Sequence, residues 1–254
     1  MTSEHDTTPN QNHPASTVHA VLVPGWWLGG WAWAAVEPGL RTAGITPHAV
    51  TLPGLDGTSS ADITLDDHVA AVVRVVDALA GEVVLVGHSG GGAVVQSAAD
   101  RRPDRIRRVV YVDSGPLRAG ESLRPDATVD VELPSWDELA AVGSSIDGID
   151  DDGLVRFRER AVPHPAGVAR AAVDVRDPRR LDVPASVICT SLPSSVLSGM
   201  IEAGEMPSEL PDVRDVRYVD LPTGHWPMFS RPTELAEVLA DEIMERAPVT
   251  HPGS

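Results

Sequence analysis

The segment from Glu82 to Arg101 constrains the fold more than any other part of the chain. It reads EVVLVGHSGGGAVVQSAADR: an apolar β-branched run, a glycine-rich turn and then a helical pattern. The pentapeptide GHSGG fits G-x-S-x-G, in which a serine occupies a strained turn between a strand and a helix. We therefore predict Ser89 as a nucleophile, with the backbone N–H of Gly90 facing the same site near a helix N-terminus. The alternative is a serine that only caps the helix.

Apolar runs and helical patterns alternate along most of the chain. Further strands are predicted at residues 19–25, 45–54, 106–113, 182–190 and 213–222, and further helices at 64–79 and from Pro232 onward. This alternation favours an α/β fold with a mostly parallel central sheet and helices on both faces. Residues 114–181 carry helical stretches but no strand pattern, which predicts a small helical lid inserted between two strands.

The domain organisation follows from length and from the composition of the ends. With 254 residues the chain is expected to form one domain, over residues 18–246. The polar segments 1–17 and 247–254 are predicted to be disordered tails. The first tail lacks the basic and apolar regions of a secretion signal, and no run approaches the roughly 20 apolar residues that span a bilayer. A cytoplasmic protein without a membrane partner is the simplest expectation.

Charge and residue usage exclude several classes of function. The chain has 20 Lys+Arg, all of them Arg, against 37 Asp+Glu, for a net charge of −17. Such a surface repels nucleic acid, and the absence of lysine excludes a Schiff base. The single cysteine, Cys189, cannot form an intrachain disulfide. No histidine or cysteine cluster has metal-ligand spacing, and the acidic stretch SSIDGIDDDG lacks the pattern of a calcium loop. Neither a metal nor a cofactor is expected, and a homodimer is an open alternative to a monomer.

A candidate base lies after the last predicted strand. His225, in the loop LPTGHWP, precedes the final helix. A serine hydroxyl is a weak nucleophile until a group that titrates near neutrality takes its proton, and imidazole meets that need. The order Ser…Asp…His along the chain is the order used by proteins with a G-x-S-x-G elbow. His88, next to Ser89, is expected to point away from it.

Together these motifs resemble the α/β-hydrolase fold superfamily, over about residues 19–246. More specifically, they resemble its compact-lid group, which includes plant esterases related to hydroxynitrile lyases. That group typically carries His-Gly-x-x-x-Gly-Gly-Trp-x-Trp after its first long strand, and here PGWWLGGWAW begins with Pro24 in place of the histidine. The resemblance implies that the N–H of Trp26 is a second oxyanion donor beside Gly90. Trp31 and Trp33 are expected to pack in the core.

The acid departs from the pattern of this group. Most members carry it in the turn that here reads TSLPSS, residues 190–195, which contains no carboxylate. Other α/β-hydrolases, including haloalkane dehalogenases and zearalenone lactonases, supply the acid one strand earlier, which corresponds to Asp113. Adjacent parallel strands lie about 4.8 Å apart, so a carboxylate at either strand end could reach one imidazole. Asp113 as a simple turn former, or Asp220 as the acid, are the alternatives.

The sequence therefore predicts a serine hydrolase of carboxylic esters or lactones, with an apolar uncharged substrate and an acyl-enzyme. A zearalenone-type lactone is one such substrate that the resemblance suggests. The alternatives are a lyase, although the related lyases use a lid lysine that is absent here, and a non-hydrolytic receptor for a small ligand. Substrate contacts are expected from Gly25, Trp27, His88, Trp136, His164, Leu192 and Trp226.

Overall fold

A computed structural model describes residues 17–58, 60 and 62–245 of the chain. The two predicted tails, apart from residue 17, lie outside the described residues. Six strands form one sheet in the order β2-β1-β3-β4-β5-β6, and every neighbouring pair is parallel. The strands are β1 (Val18–Val23), β2 (Ile45–Ala49), β3 (Glu82–His88), β4 (Ile106–Val112), β5 (Ala185–Cys189) and β6 (Val216–Asp220). The predicted parallel α/β sheet is confirmed.

Nine α-helices connect and cover these strands within the described ranges. They are α1 (Glu37–Thr42), α2 (Leu65–Ala78), α3 (Gly91–Arg101), α4 (Trp136–Ala141), α5 (Asp151–Arg160), α6 (Ala166–Ala169), α7 (Ser194–Glu202), α8 (Pro227–Ser230) and α9 (Pro232–Met244). Helix α2 begins where the sequence predicts, because Thr64 and Asp67 form a reciprocal capping box at its N-terminus. No helix in the described ranges is long and apolar enough to cross a membrane.

Helices cover both faces of the sheet. Alternate side chains of β1 enter two different apolar clusters: Val21 and Val23 pack in the cluster that contains α2 and α3. Ala20 and Leu22 pack in the cluster that contains α9. Successive side chains of a strand point to opposite faces, so burial on both sides explains why the central strands are apolar throughout rather than alternating. The two faces being covered, the ends of the strands are left for a site.

Residues 114–181, called here the inserted segment, lie between β4 and β5 and contain α4, α5 and α6. Aromatic packing attaches the segment to the stretch after β6, since Phe157 of α5 is fully buried and its ring contacts Trp226 and Phe229. One main-chain and one side-chain hydrogen bond add to this attachment. The N–H of Val162 donates to the carbonyl of Trp27 at 3.0 Å, and the indole N–H of Trp27 donates to the carbonyl of Val131 at 2.8 Å.

Candidate active site

Two turns at the carboxyl edge of the sheet place the first two candidate residues. Ser89 follows β3 directly, Asp113 follows β4, and the two strands are neighbours in register with His88 opposite Val112. Ser89 and Asp113 have φ angles of 49° and 44°, in the left-handed region that most side chains avoid. Such strain is found where the surrounding structure over-determines a turn. Here it turns both side chains toward the loop after β6, which carries His225.

The structure brings Ser89, His225 and Asp113 together in one chain of hydrogen bonds. The Nε2 atom of His225 lies 2.8 Å from Oγ of Ser89, and its Nδ1 atom lies 2.5 Å from Oδ2 of Asp113. An imidazole held by a carboxylate at Nδ1 presents a bare Nε2 to the hydroxyl. The arrangement can therefore remove a proton from Ser89 and return it to a leaving group.

Asp113 has more partners than a turn former requires. Its Oδ1 accepts hydrogen bonds from the N–H groups of Thr190 and Ser191 at 3.1 and 2.9 Å, and its Oδ2 accepts one from Oγ of Ser191 at 2.6 Å. Burial tends to raise the pKa of this carboxyl. The hydrogen bonds and charge of His225 and the Ser191 donors outweigh burial, and they hold the pKa of Asp113 well below its usual range. Asp113 is therefore ionised at neutral pH.

The alternative acid, Asp220, is occupied elsewhere. It accepts hydrogen bonds from the N–H and the hydroxyl of Ser194 at 2.7 and 2.8 Å, at the N-terminus of α7. The turn TSLPSS, which lacks a carboxylate, instead supplies through Thr190 and Ser191 the donors that hold Asp113. The carboxylate at the end of β4 is thus held by hydrogen bonds from the turn after β5.

The expected oxyanion donors lie side by side. Trp26 and Gly90 both line the same cavity as Ser89 and His225. The indole of Trp26 packs so closely on Cα of Gly90 that a Cβ at that position would overlap it. Gly90 is also the residue before the first turn of α3, where backbone N–H groups favour negative charge. That the backbone N–H groups of Trp26 and Gly90 are the oxyanion donors stays a prediction.

The cavity that these residues share has a volume of about 880 Å³. Apolar side chains form much of its wall: Leu139 and Val142 from the inserted segment, and Leu197, Ile201, Met206 and Leu210 from the stretch between β5 and β6. Arg124 and Glu138 also line it. Glu138 caps α4 by bonding to Ser135, and Arg124 lies 3.5 Å from Asp126, so each of the two charges already has a partner.

Two of the seven expected substrate contacts line this cavity, namely Trp27 and Leu192. Three aromatic residues do not, contrary to expectation. Trp136 packs on Phe157 and beneath Arg158, and Trp226 is buried between Phe157 and His225. His164 is 3 % exposed and stacks on Trp26, with ring centroids 4.9 Å apart. These large rings attach loops to the core, which is where most of their area can be buried.

Gly25 and His88 also lie outside the cavity wall. His88 is fully buried, and its Nε2 atom lies 2.7 Å from the carbonyl oxygen of His225. Gly25 lies against His88 and Ser89, because a Cβ there would be 2.8 Å from Nδ1 of His88 and 2.9 Å from Cβ of Ser89. Both residues lie directly behind Ser89 rather than in the cavity, so the expectation of substrate contacts there is corrected.

Sequence reasoning missed several residues that shape the site. Ser114 donates from its hydroxyl to the carbonyl of Ser89 at 2.6 Å, and Ser191 bonds to Asp113 as described. The carbonyl of Ser145, in the inserted segment, accepts from the N–H of His225 at 2.7 Å. Serines in turns are common and carry no signal of their own, although Ser114 and Ser191 are each the second residue after a strand, at the carboxyl edge of the sheet. Among the described residues, no group of three His, Cys, Asp or Glu could hold a metal ion.

Comparison with known proteins places the chain among hydrolases. Residues 20–238 match the model of the "Alpha/beta hydrolase family". The chain is similar to a "Carbendazim hydrolyzing esterase" of Nocardioides sp. strain SG-4G, with 32% identity over 87% of this chain and 97% of the relative. It is also similar to a "Pimeloyl-[acyl-carrier protein] methyl ester esterase" of Aromatoleum aromaticum, with 28% identity over 88% of this chain and 97% of the relative.

A solved structure agrees with these relatives. The crystal structure of a "Novel Pyrethroid Hydrolase" from Sphingobium faniae JZ-2 superposes with a TM-score of 0.65 at 25% identity, over 90% of this chain and 98% of that chain. The family match extends over nearly all of the described residues and includes both strand ends and the loop of His225. The chain therefore belongs to the α/β-hydrolase family, and it is a carboxylic ester hydrolase.

Proposed function

We propose that the protein cleaves uncharged, largely apolar esters through an acyl-enzyme formed on Ser89. One observation carries the proposal: the hydrogen-bonded chain from Ser89 through His225 to Asp113 opens onto a mostly apolar cavity. A helix-capping serine would need neither the imidazole at 2.8 Å nor a left-handed backbone. A reactive Ser89 explains both the strained backbone and the buried polar contacts, which are features that cluster at active sites.

The chemistry follows from the two ends of the imidazole. Nε2 of His225 takes the proton of Ser89 as Oγ attacks the ester carbonyl, and the carbonyl oxygen acquires negative charge beside the N–H groups of Trp26 and Gly90. As the tetrahedral intermediate collapses, the imidazolium gives its proton to the departing alcohol. Water, deprotonated by the same Nε2, then attacks the acyl-enzyme and restores Ser89. One ester and one water yield one acid and one alcohol.

Asp113 acts on His225 and not on the substrate. Its ionised carboxylate fixes the tautomer in which Nδ1 carries the hydrogen, and it stabilises the imidazolium that forms during attack. Because its remaining lone pairs are occupied by Thr190 and Ser191, the carboxylate is held in one orientation. The low pKa of Asp113 keeps its carboxyl ionised at neutral pH.

The cavity supports a substrate class rather than a single compound. Its volume of about 880 Å³ lies toward the upper end of the usual range for small-molecule sites, so it suits an ester with at least one bulky apolar group. Relatives named for hydrolysing carbendazim, pyrethroids and a methyl ester support an ester of either small or large alcohol. A lactone of zearalenone type remains part of the proposal because Asp113 follows β4, as in the lactonases that the sequence resembles.

The proposal is tested with a panel of p-nitrophenyl esters and lactones of graded size, together with a fluorophosphonate probe. We expect one probe molecule per chain, attached to Ser89. Ser89→Ala should not be labelled, and His225→Ala should be labelled more slowly than wild type. We also expect kcat/KM to rise as apolar carbons are added to the ester, and to fall when a carboxylate is added. A protein that binds the lactones but neither reacts with the probe nor cleaves any ester would instead be a receptor.

A further inference from the structure

The backbone of His225 is held at both of its polar groups. Its N–H donates to the carbonyl of Ser145 at 2.7 Å, and its carbonyl oxygen lies 2.7 Å from Nε2 of His88. The first contact comes from a main-chain carbonyl. The second comes from the side chain of the last residue of β3, directly before Ser89. The loop of the general base is thus tied by hydrogen bonds to the element that presents the nucleophile.

His88 has no other evident task. It is the last residue of β3, fully buried, with the neighbouring strands β1 and β4 paired on either side. Its Nδ1 atom has no hydrogen-bond partner among the residues that the structure describes. Its ring lies against that of His225, with centroids 5.0 Å apart. Burying an imidazole with only one hydrogen-bonded nitrogen costs more folding free energy than burying an apolar side chain of similar size. The cost suggests that the single hydrogen bond of His88 has a role in function.

We propose that His88 is a positioning residue for the esterase reaction. Its Nε2–H donates a hydrogen bond to the carbonyl of His225, and this bond holds the imidazole of His225 between Ser89 and Asp113. The inference rests on the proposed function of Ser89 and His225. Because His88 is the last residue of β3 and Ser89 follows it directly, the bond from His88 links the loop of the base to the residue beside the nucleophile. Gly25 takes part by leaving space for the ring, as its close approach to Nδ1 indicates.

The carbonyl partner determines the tautomer of His88. A carbonyl oxygen only accepts, so Nε2 must carry the hydrogen and Nδ1 must be bare. Burial, aided by the neighbouring His225, lowers the pKa of His88 to about 3, so the ring stays neutral through the range in which an esterase works. A neutral ring adds no second positive charge beside the imidazolium that forms on His225.

Two substitutions separate the hydrogen bond from the packing. His88→Gln places an amide nitrogen near the original Nε2, whereas His88→Leu keeps the bulk and removes the donor. We expect His88→Leu to lower kcat per probe-labelled site by about 10- to 100-fold, since small displacements of a base have effects of that size. KM should change less than twofold, and His88→Gln should recover kcat to within a few-fold of wild type.

A matched control is available at the opposite edge of the sheet. His19 is also buried, and its Nε2 lies 3.0 Å from the carbonyl oxygen of Ala80. His19→Leu removes this bond, and also the bond from Nδ1 to Nε2 of His48 at 3.0 Å, far from Ser89. It should therefore lower stability without changing kcat per labelled site. If His88→Leu behaves like His19→Leu, losing stability alone, the positioning role is overturned. If Ser89→Ala keeps esterase activity, the proposed function itself is wrong, whatever the His88 variants show.

A measurement on the unaltered protein covers the case in which the variants do not fold. In ¹⁵N-labelled histidine spectra, one ring that does not titrate between pH 5 and 9 should carry its hydrogen on Nε2, protected from exchange with solvent. It should show a contact with the His225 ring. An Nδ1–H tautomer for His88, or rapid exchange of its ring hydrogen, would contradict the bond on which the inference depends.

Discussion

Replacing Asp113 by Asn tests whether the carboxylate at the end of β4 is the acid of the site. The amide keeps the oxygen that accepts from Thr190 and Ser191, so the turn after β5 retains its anchor. The other position becomes an NH₂ group facing Nδ1 of His225, where the carboxylate lies at 2.5 Å. His225 then has to turn its lone pair to the amide and its hydrogen to Ser89, the tautomer that cannot accept the serine proton.

The expected loss is large because both the tautomer and the charge are affected. A comparable change in a serine protease lowers kcat roughly 10⁴-fold, and we expect kcat of Asp113→Asn to fall by about 10³ to 10⁴, or about 4 to 5 kcal/mol in activation free energy. KM should stay within a few-fold, because the carboxylate acts on His225 and not on the substrate. Steady-state kinetics on a p-nitrophenyl ester, with circular dichroism to verify folding, measures both quantities.

Asp220→Asn is the matched control. In the described structure the carboxylate of Asp220 accepts hydrogen bonds only from the N–H and hydroxyl of Ser194. Its replacement should therefore cost at most about 1 kcal/mol of stability and leave kcat within twofold. The reasoning is refuted if Asp113→Asn stays near wild-type activity while folded. A loss of 10³-fold in Asp220→Asn would move the acid to β6.

Four further predictions concern other parts of the account. His88 is protonated below about pH 6.5 in the unfolded chain but only near pH 3 in the folded chain, so the wild-type protein loses stability on acidification. Between pH 7 and pH 5 the loss in unfolding free energy, measured by urea unfolding, should be about 2 kcal/mol smaller in His88→Gln than in wild type. Phe157→Ala should lower the unfolding free energy by about 3 to 5 kcal/mol, and a loss below 1 kcal/mol would mean that the inserted segment is not fastened to the core. Burial raises the pKa of Cys189 to about 12, so iodoacetamide at pH 8 should modify it only after denaturation, whereas rapid modification of native protein would contradict its burial. Gly90→Ala should lower kcat by about 10²- to 10³-fold while the protein stays folded, because the added Cβ displaces Trp26 from its place beside Gly90. An unchanged kcat would show that Trp26 and Gly90 are not the oxyanion donors.

Local signals in the sequence accounted for most of the sheet. The strand from Glu82 and the helix from Gly91 were predictable because the β-branched run, the glycine turn and the helical period are all short-range features. The capping box of Thr64 and Asp67 is equally local. Asp113 is selected by resemblance to α/β-hydrolases that carry their acid after the corresponding strand, and the closeness of adjacent parallel strand ends makes the position geometrically possible.

The walls of the cavity depended on contacts that no local pattern encodes. Trp136 and Trp226 are 90 positions apart and meet on Phe157, so their aromatic character alone could not distinguish the packing of a loop from the binding of a substrate. The roles of His88 and Ser145 depend on where the loop of His225 lies in space. Main-chain carbonyls, such as that of Ser145, are present at every position and leave no mark in a sequence.

The central claim is that Ser89 carries the acyl group during turnover. Rapid mixing with an excess of a p-nitrophenyl ester, quenching in acid and intact-mass analysis measures this directly. We predict a burst of one nitrophenolate per active site, together with a mass increase equal to the acyl group on the peptide that contains Ser89, and neither in Ser89→Ala. Steady turnover without a burst or adduct, retained in Ser89→Ala, would contradict the account.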